Sequence, residues 1–325
     1  MQHPIRIAVV GAGGLGRAAL RLLAHKQEAK VVALCDRGGY AFCSKGFDAE
    51  TATALENGGC AALGEPVDDS IGALIHHRAD VDAMLLTLPN LPNEFMPGVV
   101  ERIVDAGYSG VFVDALKRTR AMQLMFALDE KLRAARCVAI TGAGATPGLL
   151  SAAAVLAAQS FVEVERVDIW WGVGIANWDA YRATIREDIA HLPGYSVERA
   201  AKMTDAEIDA LLAETDGKLT LRDMEHADDL LLQKVGVVDR LDQVTVGGVM
   251  DTRSAQKPVQ TTMTLTGTTF EGKRSSHRFV LGNETSMAAN VLGPALGYLK
   301  RALWLRERGI YGVFGSTEFM PMVLR

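Results

Sequence analysis

The chain of 325 residues has few cysteines, no excess of positive charge and no long apolar run, and each shortage excludes something. Lys and Arg number 34 against 39 Asp and Glu, a net charge of −5. The net charge gives no basic field to hold a phosphate backbone, so nucleic acid is not an expected partner. The four cysteines, Cys35, Cys43, Cys60 and Cys137, form neither a CxxC pair nor a Cys/His ligand spacing. Neither a redox dithiol nor zinc is signalled, and His191, His226 and His277 are too dispersed for another metal site. Scattered thiols fit a reducing compartment. No apolar run approaches the ~20 residues of a membrane span; Gly148–Ala158 is too short. The first residues lead straight into a strand pattern with no room for a signal peptide, so a cytoplasmic protein acting on a small molecule is expected.

What is present is apolar material for a full core, 49% of residues. About two domains are expected, because single cores rarely grow past ~250–300 residues. Ile5–Val10 is an apolar run stopped by glycines, the pattern of a strand buried on both faces. Leu15–Lys26 carries Leu15, Ala19, Leu22 and Leu23 at helical spacing. Val31–Cys35, Ala83–Leu88, Gly110–Val113 and Val138–Thr141 read as strands, separated by helices at Ser70–His77, Asn93–Ala106 and Arg118–Ala135. This alternation predicts an α/β fold with a Rossmann doubly wound parallel sheet.

Beyond Pro147, read as the first residue of a helix, the texture changes. A buried helix to Ala158 precedes a strand at Glu165–Val173 and helices near Ala180–His191, Thr204–Glu214 and Thr220–Lys234. Thr204-Asp-Ala-Glu207 is a capping box. Gln243–Leu281 alternates and is rich in Thr and Val, as antiparallel strands are, and Glu284–Arg308 returns to helix with a kink expected at Pro294.

Gly11-Ala12-Gly13-Gly14-Leu15-Gly16 satisfies GxGxxG between a strand and a helix. Gly11 permits the tight turn, Gly13 lets backbone N–H groups approach a pyrophosphate, and Gly16 lets the helix pack on the strand. The helix start adds orphan donors. Asp36 ends the second strand, where an acid accepts adenosine ribose hydroxyls. NAD is therefore the expected cofactor, because a carboxylate repels the 2′-phosphate of NADP; Arg37 keeps NADP open. The irregular segment Asp36–Ala49 is expected to be a flap over the cofactor. Thr87, Leu88, Pro89 and Asn90 should face the nicotinamide ribose, unless they merely terminate a strand.

Asp114 and Lys117, in VFVDALK, emerge at the carboxyl end of a core strand. They are the expected catalytic pair, Lys117 donating a proton to a carbonyl or imine, or polarising it, and Asp114 orienting Lys117. The alternative is that Lys117 opens a solvated helix. The glycine-rich segment from Gly142 through Thr146 and Pro147 to Gly148 reads as a ligand cradle or a structural turn. Arg182 and Arg186, four apart, are placed to hold a substrate carboxylate or else form a solvated face with Glu187 and Asp188.

VVGAGGLG, FVDALK, GAGATPGLLS and NETSMAANVLGPAL together resemble the saccharopine dehydrogenase-like family of NAD(P)-dependent amino-acid oxidoreductases, related to diaminopimelate dehydrogenases. The resemblance implies a Rossmann domain, an α/β substrate domain, and last helices that return towards the first. It implies hydride transfer to or from an imine or amine of a small carboxylated substrate. By position it implies Gly11, Gly13, Gly14 and Gly16 as the pyrophosphate loop, Asp36 as the ribose acid, and Ser286 and Pro294 as packing positions. Thr146 stands where the family's Asp-Pro-Gly turn has its acid, so a carboxylate suited to a cationic substrate amine is missing; Thr146 is kept as a substrate-binding position.

The expected division is residues 1–146 for the dinucleotide, 147–283 for an α+β domain with a mixed or antiparallel sheet that binds substrate and dimerises, and 284–325 for a helix and tail packing on the first. A homodimer is expected. Two other readings stay open: a sugar or semialdehyde dehydrogenase on the same plan, and a dinucleotide-binding regulatory protein without turnover.

Overall fold

The computed structural model describes residues 3–89, 91–175, 178–182, 185–282 and 287–325; Asn90 and Ser286 lie outside them. The chain divides into two units, Met1–Leu149 with Ala288–Arg325, and Leu150–Met287. The strands, in chain order, are β1 (Ile5–Val10), β2 (Ala29–Asp36), β3 (Gly39–Phe42), β4 (Glu65–Pro66), β5 (Ala83–Leu86), β6 (Val111–Asp114), β7 (Val138–Thr141), β8 (Phe161–Gly174), β9 (Lys218–Leu221), β10 (Val244–Asp251), β11 (Thr261–Thr269), β12 (Arg274–Leu281) and β13 (Gly312–Gly315).

The first unit is built on a sheet of order β13-β7-β6-β5-β1-β2-β3-β4, parallel from β13 to β2. Side chains alternate across a strand, so an apolar run with no polar interruption must be covered on both faces. Ile5, Ile7 and Val9 pack into one core with Leu20, Leu296 and Leu299, from the helices Gly14–Leu23 and Met287–Arg306. Ala8 and Val10 point the other way, into a second core with Val100, Ile103 and Leu74. Each fully buried Val, Leu or Ile contributes about 1.5–3 kcal/mol, which makes these strands the stable frame on which loops are hung. The strand order reverses at β1, between β5 and β2, and open sheets of this kind bind ligands beyond the strand carboxyl ends at such a reversal.

The second unit carries a mixed sheet of order β12-β11-β8-β10-β9, with β8 and β10 parallel and the remaining pairs antiparallel. Its core gathers Ile169, Val246, Met263 and Leu265 from the strands with Leu150, Ile208 and Leu232 from helices. The capping box forms as the sequence predicts. Thr204 N–H donates to Glu207 Oε2 at 2.7 Å, and Glu207 N–H donates to Thr204 Oγ1 at 3.3 Å.

Several expectations are corrected. The segment read as a flap contains β3, which pairs antiparallel with β2. Arg118–Ala135 is two helices, Thr119–Phe126 and Asp129–Ala134. Ala180–His191 holds two short helices, Trp178–Tyr181 and Ile185–Ile189. Thr220–Lys234 is split between β9, whose Leu219 and Leu221 are buried alternately, and the helix Asp228–Lys234. The helix after Pro147 starts only at Leu149, because Gly148 adopts φ +128°, outside the helical region. β10, expected to be antiparallel, lies parallel to β8. β13 escaped notice because four residues, two of them glycine, show no period. Among the described residues no helix is long and apolar enough to cross a membrane.

Candidate functional site

The carboxyl ends of β1, β5, β6 and β7 are neighbours in the sheet and bring the sequence motifs of the first unit to one edge. At β1 the glycines have different tasks. Gly11 takes φ +105°, and a Cβ there would lie 2.7 Å from the Thr87 carbonyl oxygen. A Cβ on Gly16 would lie 2.1 Å from the Gly11 oxygen, whereas Gly13 and Gly14 face open space. Gly11 and Gly16 are therefore demanded by packing. Gly13, at the start of the helix, caps it with no side-chain hydrogen bond, leaving open backbone for a ligand. Ala12 is buried and Leu15 packs on the core, so both serve the scaffold.

The other residues expected to bind the cofactor are largely engaged elsewhere. Asp36 accepts backbone N–H bonds from Gly38 at 2.9 Å and Cys60 at 2.8 Å, so its carboxylate braces the β2–β3 turn. Arg37 is exposed. Thr87 is buried and its hydroxyl donates to the Gly11 oxygen at 2.7 Å, tying β5 to the glycine turn instead of facing a ligand. Leu88 packs against the second core, and Pro89 is exposed.

At β6 the expected orientation of Lys117 by Asp114 is corrected. Asp114 is buried, and its Oδ1 accepts from Leu116 N–H at 2.9 Å, Thr141 Oγ1 at 3.0 Å and Gly142 N–H at 3.0 Å. It holds the loops after β6 and β7 together. Burial pushes its carboxyl up to about 6, against the pull of these three donors. Lys117 lies three residues further on, half-buried, before the helix Thr119–Phe126. Among the described residues its amine has no hydrogen-bond or ion-pair partner. The adjoining loop after β7 turns tightly: a Cβ on Gly148 would lie 2.0 Å from the Gly144 oxygen, and Thr146, joined to Pro147 by a cis bond, is half-buried. Buried cysteines offer no competing nucleophile, since burial pushes the Cys35 and Cys137 thiols up to about 12.

In the second unit the expected carboxylate clamp is not formed. Arg182 pairs with Asp209 at 2.8 Å, while Arg186 donates to the Met203 oxygen and to Asp205, both at 2.8 Å. Both guanidiniums fasten short helices to the helix Asp205–Glu214. A cluster the sequence reading missed lies in the same unit. Asp228 is fully buried, accepts a hydrogen bond from Ser151 Oγ, and stands 2.6 Å from His226 Nδ1. The His226-Ala-Asp228 spacing was visible in the sequence, but Ser151, far upstream, was not recognisable as its partner. Among the described residues no cluster of His, Cys, Asp or Glu could hold a metal ion.

No protein-family model matches the chain. Over 349 aligned positions it is 45% identical to the (S)-8-amino-7-oxononanoate synthase BioU of Haloferax mediterranei, covering 98% of this chain and 99% of the relative. Among solved structures, diaminopimelate dehydrogenase of C. glutamicum in complex with DAP superposes with a TM-score of 0.59 at 18% identity, covering 98% and 94% of the two chains. Apo saccharopine dehydrogenase (L-Glu forming) of Saccharomyces cerevisiae gives 0.55 at 14% identity, covering 96% and 94%. These structures bear out the two-domain, Rossmann-type fold and do not extend to activity.

The synthase relative overturns the expected saccharopine dehydrogenase-like identity and, with it, hydride transfer on an amino-acid imine as the function. The NAD expectation, with NADP as its alternative, rested on the glycine turn and Asp36; the synthase relative overturns it, as it does the sugar or semialdehyde dehydrogenase. The chain is that of an enzyme, so the regulatory reading falls too.

Proposed function

The chain belongs to the family of the (S)-8-amino-7-oxononanoate synthase BioU, and from that premise we propose that its site holds (S)-8-amino-7-oxononanoate, the compound that relative is named for, with the ketone against the amine of Lys117. That compound presents a ketone beside an amine at one end and a carboxylate at the other. A lysine amine that has given up its proton adds its lone pair to a ketone carbon, and loss of the carbonyl oxygen as water leaves a C=N bond.

The observation that carries the reading is the state of Lys117. It is half-buried at the carboxyl edge of the sheet, where ligands of such folds gather, and no carboxylate holds it among the described residues. An ion-paired amine would have to break its pair before attacking. Asp114 acts as a positioning residue: by accepting from Leu116 N–H and Gly142 N–H it sets the path of the chain that carries Lys117. Thr146, on the adjoining loop, is proposed to meet a polar group of the substrate. The open backbone at Gly13 and Gly14 is proposed to hold an anionic group of a ligand. The four free thiols suit action in the cytoplasm.

The test is to incubate the protein with (S)-8-amino-7-oxononanoate, reduce with borohydride and map the adduct by peptide mass. An adduct on Lys117, absent from Lys117→Arg, is expected, together with a loss of activity of at least about 100-fold in that variant. No adduct, or one that persists in Lys117→Arg, overturns the proposal.

A further inference from the structure

At the opposite edge of the same sheet, where the strands begin, lies a cavity of about 940 Å³. Gly110, which lines it, immediately precedes β6, and Asp114 ends that strand. At ~3.3 Å per residue the two edges are about 13 Å apart, so this cavity is separate from the Lys117 site. Its volume falls within the range of small-molecule sites.

Its lining is cationic although the protein is acidic. Arg6, Lys30, Arg78 and Arg306 line it, against the carboxylates of Asp82 and Glu307. Arg6 is neutralised by a fork on Asp82, Nε to Oδ2 at 3.1 Å and Nη2 to Oδ1 at 2.8 Å. The others have no such partner in the cavity. Arg78 donates to the Ile75 carbonyl at 3.0 Å, and Lys30 to the Ser44 carbonyl at 2.7 Å. Arg306 donates to Ser109 Oγ at 3.2 Å, and its Nε is buried with no acceptor among the described residues. Glu307 lies 4.0 Å from Arg308, which shares its charge. A buried guanidinium N–H without an acceptor is costly, and it marks where an acceptor belongs.

We infer that this cavity is a binding site for a phosphorylated small molecule. Two guanidiniums and an ammonium bonded only to neutral oxygens suit a ligand with two negative charges, and the planar donor fork of arginine matches phosphate oxygens. The volume leaves room for an organic portion beside the phosphate. The site does not depend on the chemistry proposed for Lys117.

The test is calorimetric titration of the whole chain, in chloride buffer of constant ionic strength, with inorganic phosphate and with adenosine 5′-monophosphate. Saturable binding of either is expected, weakened at least about tenfold in Arg78→Ala and in Arg306→Ala. Tighter binding of the nucleotide assigns the ligand as an organic phosphate, and equal binding assigns free phosphate. Arg306→Lys, which keeps the charge without the fork, should fold as the wild type does and bind more weakly. All three variants should still form the Lys117 adduct. Absence of saturable binding, or undiminished binding in the Arg78→Ala/Arg306→Ala double variant, overturns the inference.

Discussion

Asp114 accepts three hydrogen bonds and still suffers from its burial, which pushes its carboxyl from 3.8 to about 6. The folded protein therefore holds this proton more tightly than the unfolded chain does. The stabilisation is complete below the unfolded value and is lost as pH rises from 3.8 to about 6. Two pKa units correspond to about 3 kcal/mol. Asp114→Asn keeps an oxygen for the three donors and removes the ionisation. In urea titrations the variant should gain stability relative to the wild type as pH rises through this window, and stay ahead above it. A difference between the two proteins that does not change with pH would show that Asp114 does not titrate there. Lys117 is the complementary case: the tertiary structure leaves its amine uncommitted among the described residues.

Within elements, the glycine turn separates scaffold from surface. Ala in place of Gly in a helix interior normally gains up to about 1 kcal/mol from backbone entropy. At Gly16 a Cβ would sit 2.1 Å from the Gly11 oxygen, a backbone atom that cannot swing aside. Overpacking of this kind costs about 1–3 kcal/mol or more and outweighs the propensity gain. Gly16→Ala is thus expected to lower the denaturation midpoint by more than Gly13→Ala, which has nothing within 4 Å of its Cβ and loses only the preference of the cap position for Gly over Ala. Equal stability of the two variants by urea titration contradicts this division. The same comparison explains what was readable at this scale. The spacing of the glycines was visible in the sequence, but the packing demand at Gly11 depended on Thr87, which follows β5 far along the chain.

For the whole molecule, the outer strand β12 leaves most of its residues exposed and one edge unpaired among the described residues. Phe270, in the turn before it, is 82% exposed, and Val280 on β12 itself is 41% exposed. A bare edge beside apolar side chains invites pairing, and a second copy of the chain is the proposed cover. Light scattering after size exclusion should read twice the monomer mass, and a monomer at micromolar concentration would refute it. At this scale the sequence was most legible in the first unit. Strands covered on both faces appear as uninterrupted apolar runs, so β1, β5, β6 and β7 could be located from pattern alone. In the second unit β9 looked helical and β10 antiparallel, because pairing direction is set by distant partners.

The sequence by itself determined the alternation of strands and helices in the first unit and the capping box at Thr204, because each rests on groups a few residues apart. The tertiary structure decided which polar groups are spent and which remain open. Arg182 and Arg186 are taken by Asp209 and Asp205, Asp36 and Asp114 by backbone N–H groups, and Ser151 and His226 by Asp228. A hydrogen bond depends on distance in space, and folding brings together groups that sequence separation leaves unrelated. The chemistry lay further from view for the same reason: one scaffold of strands and glycine turns serves many reactions, and only the side chains left unpaired at its edge distinguish them.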